Sequence, residues 1–178
     1  MRSPRGARRQ VRPKRQAALF SEAGLSEEPR FENAVALTGS RDVERGTARA
    51  LFSQHLFPFL REGRTWLVGG AKGVDHWAIE WLFEHGEECW VVVPFTAIEQ
   101  PKAPRMLFNK TARLIELNLP RSKSSYIFRN RYMVERSKTV VGFWSGKPGG
   151  TISTLQYALR SGREVHAIPV PVRDKDDE

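Results

Sequence analysis

Residues 126–144 read YIFRNRYMVERSKTVVGFW, and the way this stretch divides decides the fold. Its second part, TVVGFW (139–144), is an apolar run of strand length without polar alternation, the texture of a strand covered on both faces. Its first part spaces apolar residues at helical intervals, which predicts a helix over residues 125–137. A helix feeding a buried strand is half of a βαβ unit. The same alternation recurs along the chain. NAVALTGS (33–40), TWLVGG (65–70), CWVVVPF (89–95), RLIEL (113–117) and EVHAIPV (164–170) are further strands by length, flanks and apolar content.

Between them, Ala48, Leu51, Phe52, His55, Leu56 and Phe59 form one helical stripe, and Val74, Trp77, Ala78, Trp81 and Leu82 another that stops at Gly86. The Pro-rich connection after Phe95 has room for a short helix at most. GGTISTLQYALRSG (149–162) is a helix with Ile152, Leu155 and Leu159 inward and Gly162 as its stop. Strands alternating with helices predict one α/β domain over residues 31–171, a parallel sheet with helices on both faces.

The formal net charge of +9 over 178 residues is unevenly placed. Arg2, Arg5, Arg8, Arg9, Arg12, Lys14 and Arg15 crowd residues 1–18 with no acid among them, so residues 1–30 are expected to be a disordered basic arm. Such a polycation binds phosphate backbones regardless of sequence, and that reading is preferred here to a transit peptide. Residues 172–178 form an acidic tail. The single cysteine, Cys89, excludes an internal disulfide and fits a reducing compartment, so the expected location is the cytoplasm. No apolar run approaches the ~20 residues of a membrane span.

Ligands of open α/β sheets bind beyond the carboxyl ends of the strands. Three of those ends are glycine-rich here: residues 38–41 (TGSR), 69–75 (GGAKGVD) and 145–151 (SGKPGGT). Glycine lets backbone approach a ligand, and each following helix presents unpaired N–H groups. An anionic, phosphate-bearing ligand fits this pattern, with Gly39, Ser40, Arg41, Gly70, Lys72, Gly73, Gly149, Gly150 and Thr151 as candidate contacts. Neither a Walker A sequence nor G-x-G-x-x-G is present. The four histidines are scattered, so no metal and no cofactor are expected. Asp75 either stabilises the start of its helix or touches a ribose or base.

On a helical wheel, Asn130 falls within about 60° of Tyr126, Met133, Val134 and Ser137. It therefore belongs in the buried stripe, with Arg129 and Arg131 on its flanks. A buried amide needs partners, and the main chain of the glycine loops is the expected source. The arginines are expected to reach around the helix toward phosphates.

VALTGSR, GGAKGVDHWA, FRNRYMVERSKTVVGFW and GGTISTLQYALRSGREVHAIPV occur in an order and spacing that resembles the DNA-processing protein A (DprA/Smf) family over residues 33–170. Gly150, Thr151, Thr154, Ala158, Gly162 and Arg163 align without a gap. The resemblance implies an extended Rossmann fold that binds single-stranded DNA and assists a RecA-type recombinase without catalysing a reaction. It carries over Ser40, Arg41, Lys72, Gly73, Arg129, Arg131, Gly150 and Thr151 as DNA-facing residues. Asp75, Asn130 and Thr154 are separately expected to be structural or to touch base and ribose. A RecA-type recombinase and a second copy of the chain are candidate protein partners. Gly69 stands where the family has serine, and the segment after Phe95 is shorter than the family's.

The LOG-type phosphoribohydrolases share the fold, and their signature runs Pro-Gly-Gly-x-Gly-Thr-x-x-Glu. PGGTISTLQ keeps Pro148, Gly149 and Gly150 but places Gln156 at the glutamate position, and an amide cannot serve as a general base. The expectation is accordingly a binding protein, with a small-nucleotide module of the same superfamily as the alternative.

Overall fold

The computed structural model describes residues 33–60 and 64–171. The basic arm at 1–30 and the acidic tail at 172–178 lie outside the described residues. Six strands, β1 (Val35–Gly39), β2 (Thr65–Gly69), β3 (Glu88–Val93), β4 (Arg113–Glu116), β5 (Thr139–Trp144) and β6 (Glu164–Pro169), form one sheet. Their order is β4-β3-β2-β1-β5-β6, and every pairing is parallel. Five helices connect them: α1 (Arg45–His55), α2 (Val74–Glu84), the short α3 (Lys102–Arg105), α4 (Lys123–Glu135) and α5 (Gly150–Arg160). This is the Rossmann-like α/β architecture expected from the sequence.

The apolar runs supply both faces of the sheet. Val35, Leu37, Trp66, Val68, Val91, Val141 and Phe143 point toward α1 and α2, while Ala36, Leu67, Val92 and Val140 point toward α4 and α5. The first face is the bulkier, with Phe52 of α1 edge-on to Trp81 at 6.0 Å and to Phe143 at 5.1 Å between ring centroids. Among the described residues no helix is long and apolar enough to cross a membrane.

Two helices depart from the sequence reading. The stripe expected to run on to Phe59 ends at His55, and Phe57–Phe59 is a 3-10 turn with Pro58 in its first positions. Proline has no N–H to continue an α-helical ladder. In α5 the inward residues are Thr154, Leu155 and Ala158, while Leu159 is 62% exposed. Leu155 lies directly on Gly142, where a Cβ would meet its Cδ2 at 2.6 Å. That close approach of helix to strand favours a small residue, Ala158, one turn further on.

Phe52 is fully buried between two aromatic neighbours. Phe52→Ala is expected to cost about 3–5 kcal/mol, the range for emptying a packed aromatic site. Urea denaturation checks this, and a loss under about 1 kcal/mol would contradict the packing.

Candidate functional site

Strands β1 and β5 are neighbours in the sheet, yet the chain leaves β1 toward β2 on one side and leaves β5 toward β6 on the other. Such a switch point opens a crevice above the carboxyl ends of the two strands. A cavity of about 360 Å³ occupies it. Its walls are residues 38–42 at the end of β1 and residues 144–145 and 147–151 at the end of β5, with Ala71 from the β2 loop, Asp75 from α2, and Arg129 and Asn130 from α4. The first and last loops are tied together, as Ser40 Oγ donates to Ser145 Oγ at 3.0 Å and accepts from Ser145 N at 3.1 Å. Helix α5 begins against the cavity. Its N-cap, Gly149, offers no side-chain cap, so first-turn N–H groups face the crevice with the positive end of the helix dipole. Anions are the natural guests of that arrangement.

The floor is built from charge that faces inward. Arg129 is only 5% exposed. Its Nη1 donates to Val92 O at 3.1 Å and its Nε to Asn130 Oδ1 at 2.8 Å. Asn130 Nδ2 donates to Thr154 Oγ1 at 2.8 Å, and Thr154 Oγ1 donates to Gly150 O at 2.7 Å. One chain of bonds thus runs from β3 through α4 to the start of α5. Asp75, also 5% exposed, accepts from Ala71 N at 3.3 Å and faces Arg129 and Arg41.

Burial pushes the Asp75 carboxyl up to about 6, against the pull of Arg129, the Ala71 N–H and Arg41. Burial likewise lowers Arg129, with Asp75 opposing. It raises the Cys89 thiol, helped by the Asp75 charge, so this cysteine is a buried neutral group.

These positions revise the reading of the Arg-Asn-Arg helix. The buried residues of α4 are Ser125, Arg129, Met133 and Val134, so the inward stripe passes through Arg129 and leaves Asn130 half-buried beside it. A buried guanidinium is tolerable because Asp75 and the Val92 carbonyl meet it there. Arg129 is the floor of the crevice and does not reach around the helix. Arg131 is exposed, its guanidinium carbon 5.0 Å over the Tyr157 ring, and it lines a second groove between α4 and α5 instead of the crevice. The partners of Asn130 are the Arg129 and Thr154 side chains, not the loop main chain.

The β2 loop also differs from expectation. Gly70, Lys72 and Gly73 do not line the cavity. Gly73 has φ +75° and stands where a Cβ would meet the carbonyl oxygens of Ser40 and Arg41 at 2.5 Å, so it packs one loop against the next. A Cβ on Gly69 would overlap the Arg129 guanidinium and meet Asp75 Oδ2 at 2.5 Å. Lys72 is exposed. Gly39, Ser40, Arg41, Gly149, Gly150 and Thr151 do line the crevice together. Asp42, Trp144, Ser145 and Lys147 line it too, unmarked by the sequence reading. Lys147 lies within the quoted SGKPGGT loop, and its place between two glycines was the available signal. Among the described residues, no three His, Cys, Asp or Glu side chains gather to hold a metal.

The family model for DNA recombination-mediator protein A matches residues 10–178. Among curated proteins, none matches the sequence. Of solved structures, DNA processing protein A from Streptococcus pneumoniae aligns with a TM-score of 0.64 at 24% identity, over 81% of this chain and 52% of that one. The chain therefore spans about half the length of that protein. DNA processing protein A from Helicobacter pylori, described for its single-stranded DNA binding mode, aligns at 0.57 and 21% identity, over 80% and 67% of the two chains. A molybdenum cofactor binding protein from Rippkaea orientalis aligns at 0.57 and 16%, over 77% and 76%. At such identities the likeness is one of fold.

Asn130→Leu deprives the buried Arg129 Nε of its acceptor and is expected to destabilise the protein by about 1–3 kcal/mol. Thermal melts check it, and an unchanged midpoint would contradict the bond chain. A second expectation concerns pH. The folded-state value of Asp75 lies above its ordinary 3.8, so the stability it contributes is fully present below about pH 4 and is lost as pH rises through about 6. The stability difference between wild type and Asp75→Asn should therefore move toward the variant between pH 4 and 6 and stay flat from 7 to 8. Urea midpoints across that range decide it, and a difference independent of pH would assign Asp75 an ordinary carboxylate.

Proposed function

The chain belongs to the DNA recombination-mediator protein A family, and from that premise we propose that it binds single-stranded DNA by seating the phosphate backbone in the crevice between β1 and β5. The observation that carries this reading is the convergence on one cavity of the α5 N-terminus at Gly149–Gly150, the Ser40 turn, and the exposed cations Arg41 and Lys147. Preformed N–H groups fix where a phosphate sits, and cations at the mouth supply the salt-dependent part of the affinity. The guanidinium of Arg41 also lies 5.6 Å from the Tyr126 ring centroid, a cation beside an aromatic surface of the kind single strands use. The basic residues of the 1–30 arm add phosphate contacts without regard to sequence, and delivery of the strand to a RecA-type recombinase completes the proposed role.

The proposal is one of binding without reaction. Gln156, at the position of the LOG-type glutamate, is exposed and outside the cavity lining. The buried carboxylate of the site, Asp75, is committed to Arg129 and the Ala71 N–H. A small-nucleotide ligand is the second reading, favoured by a cavity volume of about 360 Å³, which falls among small-molecule sites.

The test is fluorescence anisotropy with oligo-dT, on the full chain and on a chain starting at residue 31, at several salt concentrations. Arg41→Ala combined with Lys147→Ala is expected to weaken binding at least about tenfold and to reduce the log–log salt slope by about 1.4, two contacts at roughly 0.7 each. Binding that vanishes with the arm and ignores the double variant would move the DNA site out of the crevice. A slope near zero with tight mononucleotide binding would favour the second reading.

A further inference from the structure

Beside the phosphate crevice lies a groove of about 390 Å³ between α4 and α5. The two share Asn130, Gly149 and Gly150, so a chain lying over the two glycines passes from one into the other. The groove differs in character from the crevice. Its surface is mostly apolar, offered by Ile127, which is 54% exposed, and by the Tyr157 ring. Its charged lining residues are Arg131 and Arg160, and no acidic side chain lines it. Among the described residues, neither arginine forms a salt bridge.

Tyr157 is held in place before any ligand arrives. Its hydroxyl donates to Glu135 Oε1 at 2.7 Å, and the Arg131 guanidinium carbon lies 5.0 Å from its ring centroid. A fixed ring and a planar guanidinium are the two surfaces on which proteins stack unpaired bases. Fixing them in advance lowers the ordering cost on binding. An apolar protein partner would find two cations at this groove, whereas a strand running out of the crevice brings both a base for the ring and phosphates for the arginines.

We propose that the α4–α5 groove is a base-binding subsite, in which a nucleobase adjoining the phosphate held in the crevice packs against Tyr157 and Ile127 while Arg131 and Arg160 meet the neighbouring phosphates. The subsite rests on the reading of the crevice as a single-strand phosphate site. It makes the footprint at least two nucleotides long and makes affinity depend on bases as well as charge. Ring stacking is indifferent to base identity, so the subsite adds affinity without sequence preference.

The experiment uses the full chain, with fluorescein-labelled (dT)8 and an abasic deoxyribose-phosphate strand of equal length as probes. Tyr157→Leu is expected to weaken (dT)8 binding at least about fivefold and to leave the abasic strand unaffected. Tyr157→Phe, which keeps the ring and loses the Glu135 bond, should retain most of the wild-type affinity. Equal affinity of wild type and Tyr157→Leu for (dT)8, or equal losses on both strands, overturns the subsite. If (dT)8 binding is weakened by the Arg41 and Lys147 substitutions in that case, the crevice survives and only the subsite falls. If wild type does not bind (dT)8, or binds it insensitively to those substitutions, the crevice reading fails and takes the subsite with it. Sedimentation of Tyr157→Leu covers the other occupant. A changed oligomeric state with unchanged (dT)8 affinity would give the groove to a second copy of the chain.

Discussion

Arg129, a cation inserted into the protein beneath a glycine loop, is the feature on which the rest of the site depends. Removing a guanidinium from water costs several kcal/mol, and the protein offsets this with a facing carboxylate, a strand carbonyl and a side-chain amide. Those partners come from α2, β3 and α4 itself. Gly69 leaves open the space the guanidinium fills. From Arg129 the bonds continue through Asn130 and Thr154 to the carbonyl of Gly150, where α5 begins. The helix terminus that would greet a phosphate is thus positioned by a polar chain anchored on β3. The value of the buried guanidinium here is geometric, since its bonds to Val92 and Asn130 tie the first turn of α5 to β3.

The inner strands were legible because a parallel sheet buries both their faces and leaves them as apolar runs, whereas the edge strands β4 and β6 are mixed and largely exposed or half-buried. Helix registers were harder to read. In α4 the wheel centred the inward stripe on Asn130 and so put the arginines on its flanks, which agrees with arginine being a surface residue by default. What reverses that default is Asp75, 54 residues earlier, and no local pattern announces their pairing. In α5, Ile152, Leu155 and Leu159 make as good a stripe as Thr154, Leu155 and Ala158. The choice falls to a feature of another element, the missing side chain at Gly142 under Leu155.

Much the same division explains the loops. All three glycine loops were found, yet glycine serves two purposes that look alike in sequence. At residues 149–150 it leaves backbone open to the crevice, and at residue 39 it does so while also making room for Val74 of α2. At Gly69 and Gly73 it lets other parts of the protein close in, an arginine in one case and a neighbouring loop in the other. Only contacts distinguish the two, which is why Gly70, Lys72 and Gly73 were grouped with the ligand contacts while Lys147 went unmarked.

The site combines a rigid floor with an adaptable rim. Arg129 is held in place, because its Nε and Nη1 donate to Asn130 and Val92 and its charge is opposed by Asp75. Arg41 and Lys147 are exposed and can follow a ligand. That separation suits a flexible polyanion better than a compact ligand. A mononucleotide gains most from a closed pocket with several fixed contacts, whereas a single strand needs one well-defined phosphate seat and cations that adjust to a backbone of variable course. The crevice is open on the side of Gly149 and Gly150, where it runs into the apolar α4–α5 groove. A ligand bearing one phosphate and one base could occupy either space. A polymer alternating charge and aromatic surface is the ligand whose chemistry matches both spaces in the order in which the protein presents them.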